Sequence, residues 1–448
     1  MKKAIYITCI LLSVTLVKAQ QQKEMSLSMQ EAINYAIKNN YNNKVALNDI
    51  KAAKKRKWET TATGLPQING SIDYNNSLKQ PVSLLPAEIT GGEPGTFTPV
   101  TFGTKQTINA SATLSQLLFD GSYLVGLQAA KTYLKISEQS KEKTEIATRE
   151  AIINAYGNVL VSEKSVEILE NNKKVLEKNL NDTEKIYENG LNEEEDVEQL
   201  KVTLGTIENA LRNTIRLKDI AYQMLNLALG NPINTKLHLT DTLDGLKNEY
   251  TNLSLLTKPF KIENHIDFKI AENDLESKRL LMLVEKSKAL PRLSAFLNYG
   301  TAANANSFYF FNHKQDWFQS SILGVSLQVP IFSSLGRSAR TAQAKIALES
   351  ANVRLEETVE RLNLAAQTAR SNYQLSIENY QTAEKNLNLA ERIEKKQQIK
   401  FFEGVSSSFE LSQAQNQLYT QQNNYINAIL NVIANKAKLE TALNIPIQ

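Results

Sequence analysis

Leu65 to Tyr74 reads LPQINGSIDY, and Leu290 to Tyr299 reads LPRLSAFLNY. The two stretches lie 225 residues apart, open on Leu-Pro, close on Tyr, and alternate in character. In the first, Ile68, Gly70, Ile72 and Tyr74 interleave with Asn69, Ser71, Asp73 and Asn75; in the second, Leu293, Ala295, Leu297 and Tyr299 interleave less cleanly with Ser294, Phe296 and Asn298. A period of two predicts a strand with one apolar and one polar face. Two more runs share it: Ile108, Ala110, Ala112 and Leu114 against Asn109, Ser111, Thr113 and Ser115, and Leu323, Val325, Leu327 and Val329 against Gly324, Ser326 and Gln328. Runs of about 9 to 13 residues suit a tilted membrane strand with one lipid face and one wet face. Alternation alone also suits the edge of a soluble sandwich.

The four runs form two hairpins with long loops, polar at 78–106 and aromatic at 300–320. Phe308, Tyr309, Phe310, Phe311, Trp317 and Phe318 crowd the second loop. They fit an interfacial aromatic girdle or a small core of the loop's own.

Outward from the strands, the rest of the chain repeats as well. Asn48-Asp49-Ile50 and Asn273-Asp274-Leu275 keep the offset of 225, and Phe119 and Phe332 close the second strands of the hairpins at 213. Tyr187-Glu188-Asn189-Gly190 pairs with Phe401-Phe402-Glu403-Gly404 at 214, as does ALGNPI (228–233) with ALNIPI (442–447). The drop in offset is explained if the first hairpin loop is about 12 residues longer, the difference between the two offsets. The expected organisation is a first repeat over 20–233, a connecting segment over 234–261 and a second repeat over 262–448. Each repeat then reads helix, hairpin, very long helix, glycine turn, return helix.

The ten prolines leave 100–231 and 331–445 empty. Proline inside a helix costs about 3 kcal/mol, so long helices belong in those gaps. From Leu348 a seam advances by fours and threes through Leu355, Val359, Leu362, Ala366, Ala369, Tyr373, Tyr380, Ala383, Leu387 and Ala390, broken only by Asn352 and Ser376. A heptad held that long predicts coiled-coil packing, and its alanines allow close approach. Helices are expected at 27–62, 121–188, 192–229, 262–288, 336–402 and 407–443, with Ser28 and Glu31 as a capping box for the first. The two longest reach about 100 Å at 1.5 Å per residue. The shorter ones, stacked end to end in pairs, can run beside them.

Lys2, Lys3 and the apolar stretch 4–17, followed by Val17-Lys18-Ala19, predict a signal peptide over 1–19 cleaved after Ala19. Its removal takes Cys9, the only cysteine, and lowers the net charge from +4 to +1. A near-neutral chain suits no wholesale nucleic-acid binding. His238, His265 and His313 are too scattered in sequence to suggest a metal site or a catalytic base, and no cofactor is expected. No phosphate-binding glycine loop or nucleophile motif occurs, and Ser140-x-x-Lys143 sits mid-helix without partner motifs, so no enzyme is expected. A periplasmic coiled-coil stalk or a stand-alone passive pore remains open.

Four strands cannot close a barrel, and open edges cannot sit in lipid. Three copies supply twelve strands, enough to enclose a channel, with the helices as a closed palisade. The duplicated order of elements, the Leu-Pro strand openings, the Tyr/Phe-x-x-Gly turns and the terminal ALxxPI pair together resemble the TolC-type outer-membrane efflux proteins, over essentially the whole mature chain. The resemblance implies a mixed α and β, internally duplicated homotrimer: a 12-stranded transmembrane β-barrel in outer-membrane lipid, continued by a long periplasmic α-helical coiled-coil barrel. It implies docking to a periplasmic adaptor and an inner-membrane pump, for efflux or type I secretion.

The resemblance also implies a functional tip. The residues matching the adaptor-docking turns are Gly190 and Leu191, Gly404 and Val405; Asn189 and Glu403 stand where relatives often carry Val. Six residues beyond each glycine, Asp196 and Glu410 match acids that narrow the pore. The second acids are replaced by Gln199 and Gln413, the tip Arg by Ser406 and the tip Tyr by Phe401. Asp196, Glu410 and Phe401 are therefore the gate candidates. Acids at 193–196 equally suit a helix N-terminus, and the glycines equally suit helix termination.

Overall fold

A computed structural model describes residues 25–191, 193–251 and 253–445. The expected leader, with Cys9 and the cleavage after Ala19, lies outside them, as does Pro446. In chain order the elements are β1 (Met25–Leu27), α1 (Met29–Asn39), α2 (Tyr41–Ala62), β2 (Gln67–Asn76), β3 (Val82–Pro86), β4 (Phe97–Thr101), β5 (Gln106–Asp120), α3 (Gly121–Glu188), α4 (Glu194–Leu229), β6 (Leu237–Leu239), α5 (Leu243–Tyr250), α6 (Ile266–Ser287), β7 (Arg292–Ala305), β8 (Phe318–Gln328), α7 (Gly336–Phe402) and α8 (Ser408–Ala442). They form two compact units. One contains Ile50–Ile136 and Glu272–Arg354; the other contains the chain up to Asp49, Ser137–Ala271 and Leu355 onward. Among the described residues no helix is long and apolar enough to cross a membrane.

In the strand unit, β2, β5, β7 and β8 form one antiparallel sheet in that order, so β2 and β8 are its edges. Register sorts the side chains. Tyr74 lies opposite Ile108 and Ile108 opposite Ala303; Ile68 pairs with Leu114, which pairs with Leu297, which pairs with Leu323. On this face Ile68, Ile72, Tyr299, Leu323, Val325 and Leu327 are exposed. The other face is polar: the Ser71 and Ser111 hydroxyls meet at 3.1 Å, and Asn298 Nδ2 donates to Thr113 Oγ1 at 2.6 Å. One apolar and one polar face is the build of a membrane barrel wall.

Two expectations change here. The first hairpin loop is not merely polar, because β3 and β4 pair within it as a second hairpin. The loop carries four prolines, Pro81, Pro86, Pro94 and Pro99, a composition that disfavours strands and hides this pair from the sequence pattern. Phe332 lies beyond the last strand, which ends at Gln328. In the second loop Phe310 is buried with Ala303 and Ala305 against Ile108, and Phe308 meets Tyr74 and Phe310 edge-on, each at 5.6 Å. Phe308 and Phe310 thus form a loop core on the apolar face, while Phe311 is 88% exposed.

In the helical unit the heptad seam is inward as expected: Leu362, Ala366, Tyr373, Ser376, Tyr380, Ala383 and Ala390 of α7 are all buried. The main core gathers α1, α3, α4, α5, α7 and α8 with β1 and β6, a short parallel pair that the sequence pattern does not announce. Tyr156 fixes this pair to α3: its hydroxyl donates to the Leu27 carbonyl at 3.0 Å and lies 3.0 Å from Asp241 Oδ2, which also accepts from the Met29 backbone. Burial, the largest cause, pushes the Tyr156 hydroxyl well above the ordinary tyrosine range. Arg149 of α3 pairs with Glu440 of α8, both largely buried.

Ser28 and Glu31 close the expected capping box. The expected helix over 27–62 is broken, however. Asn40 adopts an extended conformation, donates to the Ala228 carbonyl at 2.7 Å and accepts from the Asn42 backbone at 2.8 Å. The duplication reaches this detail. Gly230, with φ 83°, approaches so closely that a Cβ would lie 2.3 Å from the Asn39 carbonyl oxygen. At the matching place in the second repeat Asn444, with φ 50°, accepts from the Ile266 backbone at 3.2 Å.

Candidate functional site

The long helices α3 and α7 both stop on glycine. Gly190 has φ 72° and Gly404 φ 71°, a left-handed conformation that side-chain-bearing residues avoid. Each turn closes with the same two hydrogen bonds. Gly190 N donates to Tyr187 O at 2.7 Å and Leu191 N to Ile186 O at 3.1 Å; Gly404 N donates to Phe401 O at 3.0 Å and Val405 N to Lys400 O at 2.9 Å. This is the Schellman closure, in which the residue after the glycine ordinarily folds back onto the helix. Here Leu191 is 77% and Val405 72% exposed. Nothing lies within 4 Å of where a Cβ would sit on either glycine. Both turns therefore present an apolar side chain beside open backbone.

Phe401 is buried, edge-on to Phe402 at 5.4 Å. Beyond the second turn, Ser407 and Glu410 form a reciprocal capping box at the start of α8. The Glu410 carboxylate also accepts from Ser406 Oγ at 2.6 Å and Gln397 Nε2 at 3.3 Å. The Ser406 hydroxyl, then the Ser407 N–H, holds its pKa below the usual glutamate value. The group is solvent-exposed and stays ionised at neutral pH.

The first turn is built differently. Glu193 caps α4 without a side-chain hydrogen bond, and Glu194, Glu195 and Asp196 fill the first helical turn, where the dipole favours negative charge. Asp196 reaches across instead: its Oδ1 accepts from the Ser408 backbone N–H at 3.2 Å. The structure thus joins two gate candidates, Asp196 and the helix start bearing Glu410, through a backbone donor.

Above the tip the packing between helices turns polar. Asn172 donates to Gln422 at 3.0 Å, Gln398 donates to Asn179 Oδ1 at 3.1 Å, and Thr203 lies 3.4 Å from Ser412. Glu394 is partly buried there beside Gln415, and burial raises its carboxyl above the usual range. Gln397 and Ser407 were missed as tip residues, and Ser406 was placed there only as the replacement of an Arg, although Ser407-x-x-Glu410 repeats the pattern read correctly at Ser28-x-x-Glu31. Among the described residues no three His, Cys, Asp or Glu side chains are grouped to hold a metal ion. The three histidines sit on β6, before α6 and in the β7–β8 loop.

The sequence profile described as "outer membrane efflux protein" matches residues 32–231 and 261–444. None of the curated proteins matches the chain in sequence. Several solved structures share its fold. The outer membrane protein VceC of Vibrio cholerae superposes with a TM-score of 0.73 at 15% identity, covering 94% of this chain and 97% of its own. The outer membrane channel CmeC of Campylobacter jejuni gives 0.71 at 16%, covering 93% and 85%. The MtrE outer membrane channel of Neisseria gonorrhoeae, solved in an open state, gives 0.69 at 17%, covering 93% and 88%. With a profile match over most of its length, a duplicated helix–hairpin–helix order and a sheet of barrel-wall character, the chain belongs to the outer membrane efflux protein family, whose members are channel proteins of the outer membrane.

Proposed function

We propose that the chain is the outer-membrane channel of a tripartite efflux or type I secretion system. Three copies pair β2 of one with β8 of the next, closing a twelve-stranded barrel and leaving no strand edge in lipid. The helices continue the channel as a periplasmic tunnel. At its far end the Gly190–Leu191 and Gly404–Val405 turns meet a periplasmic adaptor, which links the channel to an inner-membrane pump. Asp196 and Glu410 supply carboxylates at the constriction, and Phe401 anchors the second turn from within. The repeats run over 20–233 and 262–448, joined by 234–261.

The observation that carries this reading is the pair of matched turns, each with its apolar residue turned outward rather than folded back. A buried apolar contact is worth about 1.5 to 3 kcal/mol per side chain, which a docking partner gains and an isolated stalk does not need. Deleting the chain should abolish export by its partner pump, and wild-type chain should restore it. The purified protein alone should run as a detergent-bound three-chain particle and conduct in planar bilayers. A monomer stable in plain buffer, with no conductance, overturns the proposal.

A further inference from the structure

Residues 51–58 of α2 read KAAKKRKW. Lys51, Lys54, Lys55 and Trp58 follow i, i+3, i+4, i+7 and share one helical face. All four are exposed, Trp58 at 61%, while Ala53 on the far side of the helix is buried. Arg56 flanks the stripe with its guanidinium 4.9 Å from the Tyr133 ring centre. Among the described residues no carboxylate forms an ion pair with Lys54, Lys55 or Lys57.

The stripe sits next to the sheet. Helix α2 ends at Ala62 and β2 begins at Gln67. Tyr123 donates to the Thr61 carbonyl at 3.1 Å and Gln116 to the Gly64 carbonyl at 2.8 Å, so the helix end is fixed to the junction of β5 and α3. At the strand–helix junctions Leu65, Leu118, Phe119, Ile331, Phe332 and Leu335 are all exposed. Going from sheet to helix, an apolar sheet face gives way to exposed apolar junctions, then Trp58, then lysines. Hydrocarbon, interfacial aromatic, cation is the order in which a membrane surface is met.

A second copy of the chain fits this stripe poorly. The other edge of the sheet, β8, leads into α7, whose first turns carry Arg337, Arg340 and Lys345. In the trimer proposed above, joined through that edge, the neighbour's first α7 turns (336–348) bring no carboxylate to offset the stripe. We propose that the α2 stripe binds the phosphate headgroups of anionic phospholipids in the periplasmic leaflet, with Lys54 and Lys55 on the phosphates and Trp58 at the headgroup level. This inference rests on the outer-membrane channel reading, which sets the helical end of the sheet towards the periplasm.

The test uses the full-length assembly in nanodiscs of equal parts phosphatidylcholine and phosphatidylglycerol, with retained lipids counted by native mass spectrometry. Conductance of the same preparation is measured first. Wild type should retain phosphatidylglycerol over phosphatidylcholine, and rising salt should weaken the preference. Each lysine near an anionic surface is worth about fivefold, so K54Q/K55Q should lower the phosphatidylglycerol preference by about thirtyfold with conductance unchanged. W58A should reduce retention of both lipids. Equal retention of the two lipids by wild type, or an unchanged preference in K54Q/K55Q, overturns the inference while leaving the channel reading intact. Displacement by soluble glycerophosphate at matched concentration also overturns it, since the site then binds free phosphate. Absence of conductance in wild type overturns the channel reading, and this inference with it.

Discussion

The Glu410 carboxylate accepts from Ser406 and from the Ser407 backbone while remaining in solvent. It therefore serves helix geometry and keeps its charge at the same time. Its pKa is lower in the fold than in the unfolded chain, so the stabilisation it brings is present above the unfolded value and is lost as pH falls through the folded value. Hydrogen-exchange protection factors in the first turn of α8 should fall as pH drops below the ordinary glutamate range, and E410Q should remove that dependence. Gln still fits a capping box, so E410Q should leave the trimer intact yet reduce cation preference and multivalent-cation block in planar bilayers. Unchanged selectivity would confine Glu410 to capping. Ser407→Ala tests the cap itself and should cost about 1 kcal/mol, read as a lower denaturant midpoint for the tip. The sequence pattern revealed the acid but not its partners: Ser406 and Gln397 reach it only once the turn folds back, and no periodicity encodes that.

At the scale of elements, legibility followed the length of the signal. Helix α7 was predicted at its observed bounds because a heptad seam over many turns leaves one register. The strands of the main sheet were found from alternation, which a sheet with one apolar face enforces. Three-residue β1 and β6 carry too few residues to alternate, and β3 and β4 were hidden by their prolines. Asn40 broke an otherwise continuous pattern through a contact with Ala228, a residue 188 positions away that no local rule can see. The buried Arg149–Glu440 pair was likewise invisible, since neither residue departs from an ordinary charged helix face. Removing Arg149 leaves a buried carboxylate whose remaining ion-pair partner among the described residues is Lys436, at 4.0 Å. Arg149→Ala should then destabilise the helical unit by roughly 3 kcal/mol, seen as a lower Tm of the purified protein, and Arg149→Ala combined with Glu440→Ala should recover part of that loss.

For the whole molecule the duplication sets the terms of assembly. In the proposed trimer, two turns per chain become six, three centred on Gly190 and three on Gly404, all with the same hydrogen bonds and nearly the same φ. If the turns dock to a periplasmic adaptor as proposed, six near-equivalent turns suit six near-equivalent adaptor hairpins, and both should matter to docking. Substituting either glycine meets no steric obstacle, because nothing lies within 4 Å of a Cβ there. The cost to the chain is then the left-handed backbone, about 1 to 2 kcal/mol, small against the proposed trimer closed by strand pairing. On the docking proposal, a charge placed beside Leu191 or Val405 falls where the partner's apolar surface must dry. Gly404→Asp should therefore abolish export and adaptor crosslinking while trimer yield, membrane insertion and heat resistance stay normal. Gly190→Asp should act in the same direction more weakly, because Glu193 to Asp196 already make that turn acidic and a partner there must already tolerate negative charge. Gly404→Ala adds the backbone cost without the charge, and should keep most export if the charge is what prevents docking. Normal export by both aspartate variants at normal expression would show that the tip engages its partner elsewhere.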